Sequence, residues 1–478
     1  MLAGYLLDYN VKDDIAYLSN IFNYDISFYE TVYGKGNKLL EPSKEIIAYN
    51  AIMKAKFIYE THDILKDKMD KENLTTLFET IEMPLSTVLG DMEYNGVNID
   101  SDTLKDMKEE LSIKIELISK DIFNYAGTEF NISSPIQLGD ILFERLNLPH
   151  GKKTKTGYST NIDVLNKLKD KHPIINQIIE YRMLTKLYST YVEGLKDAVM
   201  SDSKIHTIYT QTITRTGRLS SIEPNLQNIP IRYEYGRLIR KCFIPSKNSI
   251  IVSGDYSQIE LRILAHMADV KSLMDAFNKD IDIHTKTASD IFKVDIDFVT
   301  KDMRRIAKAV NFGIIYGISS FGLSENLDID MKEAKKFIED YFITYPGIKD
   351  YMDSVIKEAY EKKYVLTMFN RKRNIEELSN TNYMIRQQGE RMALNTPIQG
   401  TSADIIKKAM IEVHQILKDR NMKSKLILQV HDELVLDVDK EEVEDVKKIL
   451  KEVMENTIEL KVPLKVDIES GDNWYQAK

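Results

Sequence analysis

Asp255 and Asp432 are the residues of this chain best suited to chemistry. One stands in Asp255–Arg262 (DYSQIELR), the other in Gln429–Val435 (QVHDELV). Two carboxylates at rigid corners can share a pair of divalent ions roughly 3.5–4 Å apart, which stabilises attacking and leaving oxygens in phosphoryl transfer. Mg2+ suits such a site because it takes oxygen ligands and completes its shell with water and substrate phosphates. Arg304 to Gly317 (RRIAKAVNFGIIYG) supplies the opposite charge. Arg304, Lys308, Phe312 and Tyr316 recur every four residues, so on a helix they form a slowly winding stripe of two cations and two aromatics. Arg holds phosphate as a bidentate fork and Lys as a point charge. Together the three segments predict nucleotidyl transfer. A plainer reading of the stripe is an amphipathic helix with solvated charges and core aromatics.

The elements that must position these groups are legible nearby. Ile250, Ile251 and Val252 predict a buried strand ending at Asp255. From Gln258 the apolar spacing turns helical through Ile259, Ile263 and His266, so Asp255 stands at a strand-to-helix corner. There it can project into a cleft or cap the helix. Leu426, Leu428 and Val430 alternate, as do Leu434, Leu436 and Val438, which predicts a hairpin with His431 and Asp432 at its turn.

These three segments resemble, in order, motifs A, B and C of the family A DNA polymerases, the DNA polymerase I type. Further matches are Thr214–Pro230 (TRTGRLSSIEPNLQNIP), Asn395–Ile405 (NTPIQGTSADI) and the closing Gly471–Trp474 (GDNW). The resemblance covers roughly residues 80–478 and implies an α+β, multidomain right-hand fold with an antiparallel palm sheet and mostly helical fingers and thumb. It implies Asp255, Asp432 and the Tyr256 carbonyl as ligands of two Mg2+ ions, with Mn2+ as a substitute, and Glu433 as a supporting acid. Arg304, Lys308 and His284 would contact the triphosphate, Lys308 nearest the reacting α-phosphate, with Gln258 also on the dNTP. Phe312 would lie beside the incoming sugar, Tyr316 near the template base, and Glu260 where a ribose 2′-OH would fall. Arg218, Gln399 and His431 would read the primer terminus, with Asn225, Gln227, Arg391 and Asn395 nearby.

Composition bounds the rest. A chain of 478 residues expects two to four domains, and 43% hydrophobic residues can bury large cores. No run of 18 apolar residues is present, so no membrane span is expected. The opening MLAGYLLDYN lacks the charge and apolar length of a signal peptide. One cysteine, Cys242, excludes an internal disulfide and a Cys-based zinc site, which fits a cytoplasmic protein, nucleoid-associated if bacterial. The net charge of −9 opposes nucleic-acid binding, but Arg145 to Ile250 holds 18 Lys and Arg against 8 Asp and Glu. Steering depends on that local potential. Lys152 and Lys153 open a basic loop (KKTKTGY) suited either to phosphate contacts or to simple solvation.

The expected organisation is an exonuclease-like remnant over 1–80 with short helical patterns, a thumb over 81–200, palm segments over 201–280 and 401–478, and fingers over 281–400. Ser101–Tyr125 and Pro173–Val199 are long helix candidates, and Gly34–Lys38 is a loop candidate. Asn50 stands where the last metal-binding Asp of an exonuclease domain would be, and an amide is a poor ligand for a hard cation. Proofreading and a 5′ nuclease domain are therefore expected to be absent. The partners expected are primer-template DNA and dNTPs, bound by a monomer in replication or repair. A single-subunit phage-type RNA polymerase, a non-catalytic nucleic-acid binder and a metal nuclease remain as alternatives.

Overall fold

Alternation on either side of His431-Asp432 folds as an antiparallel hairpin, Lys425–Val430 against Glu433–Asp439, with Val430 opposite Glu433. His431 closes the two-residue turn at φ +54°. The hairpin forms one side of a four-stranded sheet ordered Lys425–Val430, Glu433–Asp439, Ser249–Tyr256, Val466–Gly471. The computed structural model describes residues 1–478 except Asn10, Asp13, Asn37, Lys152, 154–156 and 231–233. The fold is α+β. The chain divides into two compact units, one of Met1–Asn95, Ile208–Ile222 and Val252–Glu469, the other of Gly96–Thr207, Glu223–Ile251 and Ser470–Lys478. Among the described residues no helix is long and apolar enough to cross a membrane.

The strand expected at Ile250–Val252 runs on to Tyr256. At Gly254 a Cβ would lie 2.9 Å from Leu450 and 3.0 Å from Met454, so glycine lets the Val443–Asn456 helix lie directly on the strand. The Lys301–Ile315 helix is capped by the Thr300 hydroxyl and ends where Gly317 takes φ +62°. Gly317 N–H bonds the Ile314 carbonyl and Ile318 N–H the Gly313 carbonyl, a Schellman ending with Gly317 at its left-handed position, and a Cβ on Gly313 would fall 2.5 Å from Ile318 Cγ2.

Two expectations for residues 1–80 need correction. Lys44–Lys71 is a 28-residue helix, not a short pattern. Its buried residues are Asn50, Phe57, Thr61 and Met69, so two of the four are polar and no apolar stripe betrays it. Gly34–Lys38 holds a small hairpin, Gly34–Lys35 with Lys38–Leu39, made possible by φ +79° at Gly34.

A buried ionic cluster belongs to the first unit. Glu82 accepts from Lys407 at 2.7 Å and from Arg371, and Arg371 also donates to Asp404, at 2.9 Å from Nε and 2.6 Å from Nη2. Gln211 donates to Glu82 at 2.7 Å. The cluster links the start of the Met83–Asn95 helix, the Tyr364–Asn374 hairpin and the Tyr383–Asp419 helix.

In the second unit, Ser101–Ala126 forms the helix expected there, from an Asp100 cap to Gly127 at φ +66°. The helix expected over Pro173–Val199 runs from Ile174 to Ala198 without a gap, α-helical at both ends with a π-helical stretch at Leu187–Glu193. Trp474 is fully buried, edge-on to Phe243 with ring centroids 5.3 Å apart, and the Arg240 guanidinium lies 4.0 Å from the Trp474 ring.

The buried cluster sets a stability test. Burial works against charged Glu82, but Lys407 and Arg371 outweigh it and bring its pKa down to about 2. A carboxyl depressed in this way stabilises the fold above its unfolded value near 4.5, and that contribution is lost as pH falls toward 2. Glu82→Gln takes the ion-pair partner from buried Lys407 and one of two from Arg371, which keeps Asp404, and is expected to cost about 3–5 kcal/mol in urea unfolding at pH 7. It should also flatten the acid limb of stability between pH 4.5 and pH 2. A loss within error of zero would show that the cluster is not held by its charges.

Candidate active site

Asp255 lies within the Ser249–Tyr256 strand, and the next helix begins at Ile259 with Gln258 as its cap at φ +56°. Asp255 is therefore not the helix cap. One residue on, Tyr256 N–H donates to the Asp432 carbonyl at 3.1 Å. That bond joins the end of the strand to the hairpin turn and brings the two acids to the same end of the sheet's central strands. Both are partly exposed, whereas Glu433 is buried and accepts from Ser253 Oγ at 2.8 Å. Asp432 Oδ1 accepts from Ser402 Oγ at 3.2 Å. The Tyr256 ring is buried, with its hydroxyl on the Met454 carbonyl at 2.8 Å.

Ser402 belongs to the Tyr383–Asp419 helix, where Arg391, Asn395 and Gln399 precede it at steps of four, four and three. The four residues share one helix face ending at Asp432. A Cβ on Gly317 would meet Arg391 Cγ at 3.1 Å, so the end of the Lys301–Ile315 helix abuts the same face. Asn395 Oδ1 is buried with no hydrogen-bond partner among the described residues.

Glu260 stands between these groups. It accepts from Arg218 Nη2 at 2.8 Å and from the Tyr316 hydroxyl at 2.9 Å. Burial raises its pKa above the ordinary carboxylate range; Arg218 opposes this, Asp432 adds to it, and the Tyr316 hydrogen bond opposes it.

The cation stripe is present but partly engaged. Arg304 forks onto Asp282, Nε to Oδ1 at 3.1 Å and Nη2 to Oδ2 at 2.8 Å. Asp282 also caps the Ile283–Phe292 helix through Thr285. Burial disfavours its charge, but bonds from Arg304 and Thr285 outweigh that and lower its pKa to about 2. Lys308 is exposed with no ion pair among the described residues. His284 is buried, and burial is the largest cause lowering its pKa to about 4; Asp282 opposes this, while Arg304 and Lys308 add to it. It is neutral at pH 7. Asn311 Nδ2 donates to His284 Nδ1 at 3.1 Å, which leaves the ring proton on Nε2. Phe312 lies 5.6 Å from the His284 ring, half-buried, and Tyr316 is exposed at its ring.

Among the described residues no three His, Cys, Asp or Glu are grouped to hold a metal ion. The donor set is two partly exposed carboxylates beside a backbone carbonyl. It fits a hard ion that takes its remaining ligands from phosphate and water, and does not fit a closed structural site.

Residues 101–476 match the family described as DNA polymerase family A. The chain belongs to that family. It is 51% identical over 482 residues to DNA polymerase I of Bacillus subtilis (strain 168) and 50% identical over 483 residues to that of Bacillus caldotenax. Each alignment takes in all of this chain and 55% of the relative, so the chain spans about half the length of these relatives. Its fold is also similar to the POL domain of Pol1 from M. smegmatis, solved in complex with DNA primer-template and dNTP. The TM-score is 0.87 at 40% identity, covering 90% of this chain and 76% of that one.

Within this family A chain, not all the residues expected at the site come together in one unit. Asp255, Tyr256, Gln258, Glu260, His284, Arg304, Lys308, Phe312, Tyr316, Arg391, Asn395, Gln399, His431, Asp432, Glu433 and Arg218 all lie in the first unit. Asn225, Gln227 and Lys153 lie in the second. Asn225 Oδ1 accepts from the Gln227 and Asn228 amides at 3.1 Å each, which shapes its own turn. Lys153 is drawn to Glu144 at 3.1 Å, and Lys152 lies outside the described residues.

Residue patterns missed Ser402, Ser253, Asp282 and Asn311, each of which holds another site residue. Asn311 stands inside the segment that drew attention, between Lys308 and Phe312, but its role depends on a contact across helices. Also missed was a groove of about 890 Å³ in the second unit, whose lining includes Ser134, Thr160, Arg182, Thr185, Lys186 and Ser189. Hydroxyls and cations of this kind suit a nucleic-acid backbone. They come from three separate segments, so no motif announces them.

The coupling at Glu260 can be measured directly. Tyr316→Phe removes a hydrogen bond that favours the charged carboxylate, so the Glu260 pKa should rise further. Carboxyl 13C NMR titration with selectively labelled Glu would read the shift, and an unchanged or lower value would show that the contact does not act on Glu260.

Proposed function

We propose that this chain is a DNA-dependent DNA polymerase that extends a primer 3′-OH with dNTPs, acting as a monomer on primer-template DNA in replication or repair. The observation that carries the reading is the convergence of Asp255, Asp432 and Ser402 at the same end of the sheet's central strands, beside the helix bearing Arg304 and Lys308, in a member of DNA polymerase family A. The solved Pol1 domain that resembles it was bound to primer-template and dNTP.

In this reading Asp255, Asp432 and the Tyr256 carbonyl would hold two divalent ions, Mg2+ or Mn2+ in its place, whose chemistry would be to lower the pKa of the primer 3′-OH and neutralise phosphate charge. The chain's own residues do the positioning. Lys308 meets the triphosphate first, because it is exposed and carries no ion pair among the described residues. Arg304 exchanges Asp282 for phosphate. His284 donates from Nε2, held neutral by burial and in one tautomer by Asn311. Glu433, buried on Ser253, adds negative potential behind the two ligands. Bond formation from the primer O3′ to the α-phosphorus accompanies loss of pyrophosphate. Positioning and charge supply most of the rate in such transfers.

Glu260 is the proposed sugar gate. Its carboxylate is fixed from two sides, by Arg218 and by Tyr316, so it cannot swing away from a 2′-OH without breaking a charged hydrogen bond. The Arg391-Asn395-Gln399 face, with His431 and Arg218, would lie along the primer terminus, and the groove of the second unit along duplex backbone.

Primer extension with Mg2+ on a labelled template tests the reading. Asp255→Ala and Asp432→Ala should each abolish extension while leaving primer-template binding largely intact, since most affinity comes from phosphate contacts elsewhere. Retention of more than a few per cent of activity by either variant would remove the two-carboxylate assignment. Glu260→Ala should raise ribonucleotide relative to deoxynucleotide incorporation, because discrimination here rests on a clash. An unchanged ratio in single-turnover kinetics would take Glu260 out of the gate.

A further inference from the structure

A second cationic site lies in the first unit, built from residues the proposed reaction does not use. A cavity of about 310 Å³ is lined by Tyr5, Asp8, Lys12, Arg215, Arg371 and Lys372 among others. Its two sides are pinned together. Thr212 Oγ1 donates to the Lys12 carbonyl at 2.8 Å, and Tyr5 OH to the Thr214 carbonyl at 2.7 Å. Beneath the loop that carries Arg215, Gly217 takes φ +87°, and a Cβ there would fall 2.5 Å from Arg371 Nε. Glycine therefore lets the Arg371 guanidinium sit directly under that loop.

Among the described residues that line the cavity the charges do not balance: Asp8 is the only acid, against four cations. Lys372 is paired with Glu72 at 2.7 Å, and Asp8 Oδ2 already accepts from the Asn374 amide at 3.2 Å. Arg371 is 2% exposed, and its Nε and Nη2 are taken up by Asp404 and Glu82. Its Nη1 is buried with no hydrogen-bond partner among the described residues. Among the described residues the exposed Arg215 forms no ion pair, and Lys12 donates only to the Tyr17 hydroxyl, at 3.3 Å. Nearby, Arg373 Nε is also buried without a partner among those residues. The Arg371 side chain lines the same cavity as Arg215 and Lys12, which have no ion pair among the described residues, and such a lining suits a ligand that is anionic and rich in acceptors.

We propose that this cavity binds a phosphate ester, with Arg215 and Arg371 as its principal contacts and Lys12 at the rim. Its volume matches one nucleotide-sized unit, at the small end of ligand pockets. Two sources supply that chemistry: a phosphodiester of a single nucleic-acid strand, and a free nucleotide.

The chain offers a local probe. Its one cysteine, Cys242, is fully buried, so Ile213→Cys, at a rim position 47% exposed, carries the sole accessible thiol for an environment-sensitive dye. The labelled chain is titrated with inorganic phosphate, dTMP and an oligothymidylate, and each titration is repeated in an Arg215→Gln background. A saturable signal weakened at least about tenfold by Arg215→Gln supports the site. Tighter binding of the oligonucleotide, with a salt slope shallower by about one in Arg215→Gln, assigns the source to a strand. Response to dTMP and phosphate alone assigns it to a free nucleotide. No signal with any of the three, or titrations that Arg215→Gln leaves unchanged, overturns the proposal. Equilibrium dialysis of labelled dTMP against the wild type and Arg215→Gln makes the same comparison without the cysteine variant.

Discussion

One backbone hydrogen bond, from Tyr256 N–H to the Asp432 carbonyl at 3.1 Å, fixes where the two principal acids can be. It joins residues 176 positions apart through main-chain atoms alone. Everything around it holds that junction still. Gly254 lets the Val443–Asn456 helix lie on the strand, the Tyr256 ring is locked beneath, and Ser402 holds the Asp432 side chain from a third element. Bringing two carboxylates together costs Coulomb repulsion, and a rigid frame carries that cost better than a loop could.

The surrounding charges are arranged to the same end. Glu260 feels Asp432 as a like charge and is held by Arg218 and Tyr316. Asp282 holds Arg304 while capping the helix that bears His284, so one carboxylate keeps two anion-seeking groups on adjacent helices in register. His284 is neutral because it is buried between cations. It can thus serve as a donor at pH 7 without adding a third positive charge to the stripe.

Local pattern carried the parts of this arrangement that depend on local order. The hairpin around Asp432, the strand ending beyond Asp255, the Arg304–Tyr316 stripe and the Ser101–Ala126 helix each follow from period or capping within a short window. What stayed hidden depends on contacts far apart in sequence. The Lys44–Lys71 helix buries Asn50 and Thr61, which no hydrophobic period records. The engagement of Arg304 by Asp282 spans 22 residues, and the Glu82-Arg371-Asp404-Lys407 cluster spans more than 300. An isolated Glu or Lys in a sequence gives no sign that it will be buried and paired. The Gly217 requirement likewise exists only because Arg371 packs beneath it.

The central claim is that Asp255 and Asp432, joined through the Tyr256 amide, hold divalent ions together. The most direct measurement is Mn2+ binding by EPR in a complex of the chain with a dideoxy-terminated primer-template and the matching dNTP. The account predicts two bound ions in the wild type and the loss of at least one in both Asp255→Asn and Asp432→Asn. An unchanged count in either variant would contradict it.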